Sequence, residues 1–303
     1  MTILVVGNCV IDRSFQVSRL PRPGETMIAQ DARVDFGGKG LNQAVSAART
    51  GATVRFATVV GSDSHGEKML AALRAEGIDV DMAFVHPGAT DEAAILVLPD
   101  GDNSIICSIR SARHAGAEIG LRAIEKLEAG DWLVMQGNID RATTEDSLLE
   151  ARARSAHTVV NPSPILFDYT DLWPLIDIAI VNVVELAELG KTEDFDEAAK
   201  RLLILGCGTV VLTRGASGAR LYRPGQNPKI IFSDPVRAVD TTGAGDTCCG
   251  VFIGALARGM RAEDALTLGV HCAGLKVTRP GTLGALPTAE EIARIRARLL
   301  PAH

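Results

Sequence analysis

Residues 178–181, Ile-Ala-Ile-Val, and Thr209-Val210-Val211-Leu212-Thr213 are two near-continuous apolar runs. Between them, Glu197-Ala198-Ala199-Lys200-Arg201-Leu202-Leu203-Ile204-Leu205 carries apolar residues at helical spacing. A strand without polar alternation is covered on both faces, and a helix between two such strands serves as a crossover, so this stretch implies parallel pairing. Outward from it the alternation recurs. Apolar, β-branched runs at 3–6, 54–60, 132–136 and 158–160 alternate with helical patterns at 40–49, 66–76, 143–155 and 246–258. The expected fold class is α/β, a mostly parallel sheet with helices on both faces.

Two regions, about 14–36 and about 82–110, change to a period of two with turn residues. In the second, Ala93-Ala94-Ile95-Leu96-Val97-Leu98 and Ser104-Ile105-Ile106-Cys107 flank Pro99-Asp100-Gly101-Asp102-Asn103, which reads as an antiparallel hairpin. A small sheet inserted into an α/β body suits a lid over a cleft; strands that only extend the core or meet a second copy fit the same pattern. No repeat, low-complexity run or linker divides the chain, so 1–303 reads as one domain carrying these inserted strands.

Of 303 residues 47% are apolar, enough for a substantial core, and a net charge of −6 with 4% aromatics supplies neither the basic field nor the stacking residues that nucleic-acid binding requires. Met1-Thr2-Ile3-Leu4-Val5-Val6-Gly7 has no basic region before its short apolar run, and no stretch approaches the ~20 apolar residues a bilayer demands. The expectation is a cytoplasmic protein without nucleic-acid or membrane partners. Six cysteines lack CxxC spacing and the six histidines form no zinc motif, so reduced thiols and no zinc site are expected.

Chemistry concentrates in two segments. Asp240-Thr241-Thr242-Gly243-Ala244-Gly245-Asp246-Thr247 opens a helix that Gly259 ends, with Thr241 or Thr242 as its cap. Glycines there let a ligand approach the free first-turn N–H groups, and the positive end of the helix dipole favours an anion such as phosphate. Asp246, ionised in the first turn, can accept the proton of a hydroxyl attacking phosphorus. An aspartate that merely favours helix formation looks the same, so the heptad alone leaves both readings open. The second segment, Gly37-Gly38-Lys39-Gly40-Leu41-Asn42-Gln43-Ala44, is not a Walker A loop. Presented to a cleft, Lys39 and Asn42 would hydrogen-bond a polyhydroxylated ligand; alone, the run equally fits tight helix–sheet packing with Lys39 in solvent.

Together these segments closely resemble the paired signatures of the ribokinase-like (PfkB) sugar kinases, the second being most similar to the ribokinase branch. The resemblance extends to Gly7 and Asp12, to Asn182-Val183-Val184-Glu185, to Thr213-Arg214-Gly215-Ala216-Ser217-Gly218, and to Val277-Thr278-Arg279-Pro280-Gly281. It implies a three-layer α/β/α body with a lid, and ATP-dependent phosphorylation of a hydroxyl on a small sugar or sugar derivative; apart from the resemblance, a lid sheet with an open edge tends to be covered by a partner strand or a second subunit, so a homodimer through the lid is expected. By the same resemblance Asp246 is the base and the amides of Gly243, Ala244 and Gly245 form the anion hole. Asp12, Gly38, Lys39, Asn42 and Asn138 match substrate-binding positions, Asn182 and Glu185 hold Mg2+ and its waters, and Thr213, Gly215 and Gly218 contact the nucleotide. An activating K+ would be bound by Asp240, Thr242 and the carbonyls of Lys276, Arg279, Gly281 and Ala285, making activity higher in potassium than in sodium or choline salts.

Two positions depart from the ribokinase pattern. Val10 stands where ribokinases place an Asn, and Asn138 where they place a Glu, so two contacts expected for ribose are altered. A nucleoside kinase, which would need an apolar wall for the base, is the alternative within the fold. A sugar-acid kinase is another, with Arg110 and Arg113 pairing a carboxylate unless they are solvated loop residues. A non-catalytic sugar-binding protein is disfavoured because Asp246 and its glycines are intact. A dinucleotide-dependent dehydrogenase is disfavoured because the Gly7 turn lacks Gly-x-Gly-x-x-Gly.

Overall fold

In β1 (Thr2–Val6) the apolar side chains of residues 3–6 are all buried, yet they divide between two cores. Ile3 and Val5 join one apolar cluster while Leu4 and Val6 join the other, because successive strand residues point to opposite faces. The same division separates Val134 from Leu133 and Met135 in β9 (Trp132–Gln136), and Ile180 from Ala179 and Val181 in β11 (Ile178–Asn182). It separates Val211 from Val210 and Leu212 in β12 (Thr209–Thr213). These strands are sandwiched, which is why they read as unbroken apolar runs.

The computed structural model describes residues 1–108 and 122–299. With β4 (Thr53–Ala57), β10 (His157–Asn161), β13 (Ala219–Tyr222) and β14 (Lys229–Ile231), the strands above form an eight-stranded sheet in the order β14-β13-β12-β11-β10-β9-β1-β4. From β12 to β4 every pair is parallel; β13 and β14 add antiparallel at one edge. On one face lie α1 (Lys39–Ala48), with Leu41, Ala44 and Val45, and α2 (Ser64–Ala75), with Met69 and Leu73. The other face is covered by α3 (Arg141–Ala153), α4 (Val183–Gly190) and α5 (Phe195–Ile204), through Leu148, Leu186 and Leu202. The first face is completed by α6 (Ala244–Ala257), α7 (Ala262–Lys276) and α8 (Ala289–Leu299), through Phe252, Leu266 and Ile292. Among the described residues no helix is long and apolar enough to cross a membrane.

A second sheet has the order β3-β2-β7-β8, from β2 (Val10–Gln16), β3 (Asp31–Gly37), β7 (Glu92–Val97) and β8 (Asn103–Cys107). The hairpin read around Gly101 is present, with Val97 opposite Asn103. Residues 109–110 of the second inserted region, and with them Arg110, lie outside the described residues, as does Arg113. The run at 54–60 is not one strand. It divides at Thr58 into β4 and β5 (Val59–Gly61), and β5 pairs with β6 (Phe84–His86) in a sheet of its own. The Thr58 carbonyl accepts the Phe84 amide at 2.8 Å, which turns the chain away from β1.

The helices α1 and α6 pack backbone against backbone. A Cβ on Gly250 would run into the Gln43 carbonyl oxygen, and one on Gly254 into Thr50. Gly250→Ala is therefore expected to cost about 1–3 kcal/mol through overpacking. By contrast, Gly274→Ala in α7, where a Cβ meets open space, should add about 0.5–1 kcal/mol. Denaturant unfolding of the two variants checks both signs; equal effects would remove Gly250 as the spacer between the helices.

Candidate active site

Polar residues gather where the parallel strands end. Gln136 closes β9, Asn161 closes β10, Asn182 closes β11 and Thr213 closes β12, while Asn8 follows β1. The carboxyl ends of a parallel sheet are where an α/β fold opens a crevice.

Helix α6 enters this edge through Gly243, whose φ of 76° is a left-handed conformation that glycine adopts without strain. This corrects the expected cap. Neither Thr241 nor Thr242 caps the helix; both hydroxyls accept from Asn103 Nδ2, at 3.3 and 3.1 Å. Of the three amides expected to form an anion hole, one is already engaged. The Ala244 amide closes a turn onto the Thr241 carbonyl at 3.1 Å, whereas the amides of Gly243, Gly245 and Asp246 have no protein acceptor among the described residues. A Cβ on Gly245 would meet open space, so the helix start is accessible. First-turn N–H groups of this kind, at the positive end of a 14-residue helix, bind anions.

The Asp246 carboxylate is 6% exposed and fully engaged by α1. Gln43 Nε2 donates to Oδ1 at 3.1 Å, Asn42 Nδ2 donates to Oδ2 at 3.3 Å, and the Lys39 ammonium lies 3.9 Å from Oδ1. The orientation is itself held. Gln43 Nε2 also donates to Asn161 Oδ1 at 3.2 Å, and Gln136 Nε2 donates to Gln43 Oε1 at 3.0 Å. The close α1–α6 approach makes these bonds possible. Gln43, Gln136 and Asn161 were not singled out from sequence, although two of them are polar residues at the carboxyl ends of apolar strands, a legible signal.

Buried polar atoms without partners include Asn42 Oδ1, Gln136 Oε1 and both amide atoms of Asn138. Such atoms are costly unless something satisfies them, and hydroxyl groups can do so. Asp12, 5% exposed in β2, adds a carboxylate, and a Cβ on the neighbouring Gly37 would run into its Oδ2. Burial chiefly pushes the Asp12 carboxyl up to about 7; the Thr282 hydroxyl opposes this, while Asp35, Asp246 and Asp240 add to it. Gly38, with φ 99°, starts α1 close against the Asn8 carbonyl. Val10 lies buried with Ala93, Ile95 and Val97 in an apolar patch on the sheet face that carries Asp12.

The residues expected to meet the nucleotide and its metal form their own group. Asn182 and Glu185 make a reciprocal capping box on α4, each side chain accepting the other's amide at 2.9 Å. Thr213 is the register partner of Asn182. Beyond it the loop turns through Gly215 (φ 54°) and Gly218 (φ 80°), where a Cβ on Gly218 would strike the Ile231 carbonyl.

Asp240 is 3% exposed; its Oδ1 accepts the Thr242 amide and its Oδ2 the Gly281 amide, both at 2.9 Å. Of the other residues expected to bind a monovalent cation, Thr242 and Gly281 meet Asp240 through their amides, whereas Lys276 meets it with its side chain. Its ammonium, 0% exposed, donates to the Asp240 carbonyl at 3.0 Å and lies 3.9 Å from Oδ1. The Lys276 carbonyl meanwhile accepts the Arg279 amide at 3.0 Å, the Ala285 amide turns to Thr282, and the Arg279 side chain pairs with Glu291. The residues present do not fit a bound K+ beside Asp240, because a positive charge is already seated against its single negative one and a second would be repelled.

A family model described as pfkB family carbohydrate kinase matches residues 2–289. The chain is 34% identical over 296 residues to a ribokinase of Haemophilus influenzae, covering 96% of each. A ribokinase structure from Thermotoga maritima superposes with a TM-score of 0.85 at 30% identity, covering 97% of this chain and 98% of that one. An Arabidopsis thaliana ribokinase solved with ribose and ATP gives 0.79 at 26% identity, covering 97% and 98%. With the carboxylate, the free helix amides and the small sheet in the places described, the chain belongs to the pfkB family of carbohydrate kinases.

Proposed function

We propose that this ATP-using sugar kinase phosphorylates a pentose, with Asp246 as the general base. The supporting observation is the Asp246 carboxylate held by Gln43 and Asn42 at the free amides of α6. A sugar hydroxyl placed there gives its proton to Asp246 as its oxygen attacks the γ-phosphorus of ATP, whose bond to the β,γ-bridging oxygen breaks as ADP leaves. The amides of Gly243, Gly245 and Asp246, aided by the Lys39 ammonium, take up the charge that develops on the transferred group. Asp12 holds one of the other hydroxyls, and Asn42, Gln136 and Asn138 hold the rest, satisfying their buried polar atoms that otherwise lack partners. Lys39 thus acts between base and phosphate more than on the sugar.

On the nucleotide side, Thr213, Gly215 and Gly218 contact ATP. A cleft of about 360 Å³ lined by Val236, His271, Gly274, Leu275 and Thr278 takes the purine. Asn182 and Glu185 would hold Mg2+ through waters, since Glu185 keeps a carboxylate oxygen outside its capping bond; the ion would neutralise phosphate charge. The small sheet covers the sugar and excludes water.

Val10 offers a hydroxyl nothing, so a sugar lacking one there is accepted at least as well as ribose. The patch of Val10, Ala93, Ile95 and Val97 is also the one observation favouring a nucleoside acceptor. An ATP-consumption screen over ribose, 2-deoxyribose, hexoses, sugar acids, polyols and nucleosides tests this. A pentose is expected to give the highest kcat/KM. A nucleoside or sugar acid giving the highest value would refute the pentose assignment, and turnover of none would refute the mechanism.

A further inference from the structure

We propose that Lys276 is this kinase's own monovalent cation: its ammonium replaces a bound potassium ion beside Asp240, so the enzyme works without one. The inference rests on the kinase reading above and concerns how its anion hole is held.

Two backbone segments meet at Asp240. The segment 240–245 carries the free amides at the start of α6, and the segment 276–281 follows α7. The Asp240 carboxylate is hydrogen-bonded into both, through the Thr242 amide on one oxygen and the Gly281 amide on the other. Buried carboxylates need a counter-charge, and a mobile ion is one way to supply it. Here α7 delivers the charge on its last residue. The Lys276 side chain turns back, fully buried, until its ammonium donates to the Asp240 carbonyl at 3.0 Å and stands 3.9 Å from the carboxylate.

A wholly buried lysine persists only where something compensates its lost hydration. Burial pushes the Lys276 ammonium below its ordinary value, and the field of Asp240, Asp246, Asp35 and Asp12 opposes that shift; the Asp240 carbonyl supplies the hydrogen bond that replaces a lost water. A tethered ammonium differs from an ion in one measurable respect. It is present at a fixed stoichiometry, so neither rate nor stability responds to the potassium concentration. Lys276 is a positioning residue; it touches the segment that bears the anion hole, not the transferred group.

The test uses the full chain in potassium, sodium and choline chlorides at equal ionic strength, with kinase rate and melting temperature as separate readouts. Wild-type protein is expected to give the same rate and the same melting temperature in all three. Lys276→Ala, which opens space beside Asp240, is expected to lose roughly 10²-fold in kcat in choline through misplacement of the anion hole. Potassium should then restore much of the lost rate and raise the variant's melting temperature, a response that a merely structural lysine would not produce. Potassium activation of the wild type, or a potassium-specific rise in its melting temperature, would overturn the proposal. So would a Lys276→Ala protein that is fully active in choline, or one that is inactive and indifferent to potassium. If the variant does not fold, the wild-type comparison decides by itself. A wild type that phosphorylates no acceptor in any salt refutes the kinase reading instead, and its melting temperatures still decide the role of Lys276.

Discussion

Asp246→Asn is expected to lower kcat by roughly 10²–10⁴-fold, the range for loss of a general base, while the protein folds and binds ATP as before. The fold should survive because the surroundings can re-pair. The asparagine oxygen can still accept from Gln43 Nε2, which now serves Asp246 Oδ1. The new amide group would face the Asn42 donor, but Asn42 Oδ1 has no partner, so turning the Asn42 side chain converts that clash into a hydrogen bond. ATP binding should persist because the free amides of Gly243, Gly245 and residue 246 belong to the backbone. Turnover and an ATP-binding isotherm measured on one preparation separate the two effects. Near-normal turnover would remove Asp246 from the chemistry; loss of ATP binding would show that the carboxylate organises the helix start instead.

The second large effect joins function to stability with opposite signs. Asp12→Asn should weaken acceptor binding by roughly 10–10²-fold, the difference between a charge-assisted and a neutral hydrogen bond, and should make the protein more stable above neutral pH. The sign follows from the carboxyl itself. Folding raises it from 3.8 to about 7, mainly by burial, so between these values the folded state holds a proton that the unfolded chain has released. Stability associated with this group is therefore present below 3.8 and lost as pH rises through about 7. Asparagine removes the titration, so the variant's melting temperature should exceed that of the wild type at pH 8, with the gap closing toward pH 4. Over the same interval the wild-type KM for the acceptor should fall as pH rises, because the ionised carboxylate is the better hydroxyl acceptor. A variant no more stable than wild type at pH 8 would mean that Asp12 is hydrated in a way its 5% exposure does not suggest.

Much of this architecture is legible in the residues alone. Unbroken apolar runs such as Thr209–Thr213 announce strands covered on both sides, and the Gly-rich run ending at Asp246 announces a helix start open to a ligand. What the runs cannot convey is pairing at a distance. The division at Thr58 depends on an amide from Phe84, 26 positions away in a segment without strong periodicity. The support of Asp246 by Gln43, Gln136 and Asn161 crosses up to 203 positions, and glutamine beside asparagine in α1 looks like any polar pair. The cap fell to Gly243 because the threonine hydroxyls are drawn away by Asn103. Lys276 was readable only as one backbone carbonyl among several, since a lysine that ends a helix is ordinarily in solvent; its burial is a product of packing.

The small sheet is fastened at two points to the segments that flank α6 and follow α7. Its hairpin carbonyl at Gly101 accepts both the amide and the hydroxyl of Thr241, at 3.1 and 2.9 Å. Asp35 of β3 accepts the Thr282 amide at 3.0 Å, just past the turn that Lys276 begins. Anyone transplanting this sheet from a relative to obtain a new sugar preference would thereby replace the clasps that hold the start of α6, where we propose the phosphate binds. Chimeras that retain Asp35, Gly101 and Asn103 should change their choice of sugar alone, whereas chimeras that discard them will alter their affinity for ATP as well.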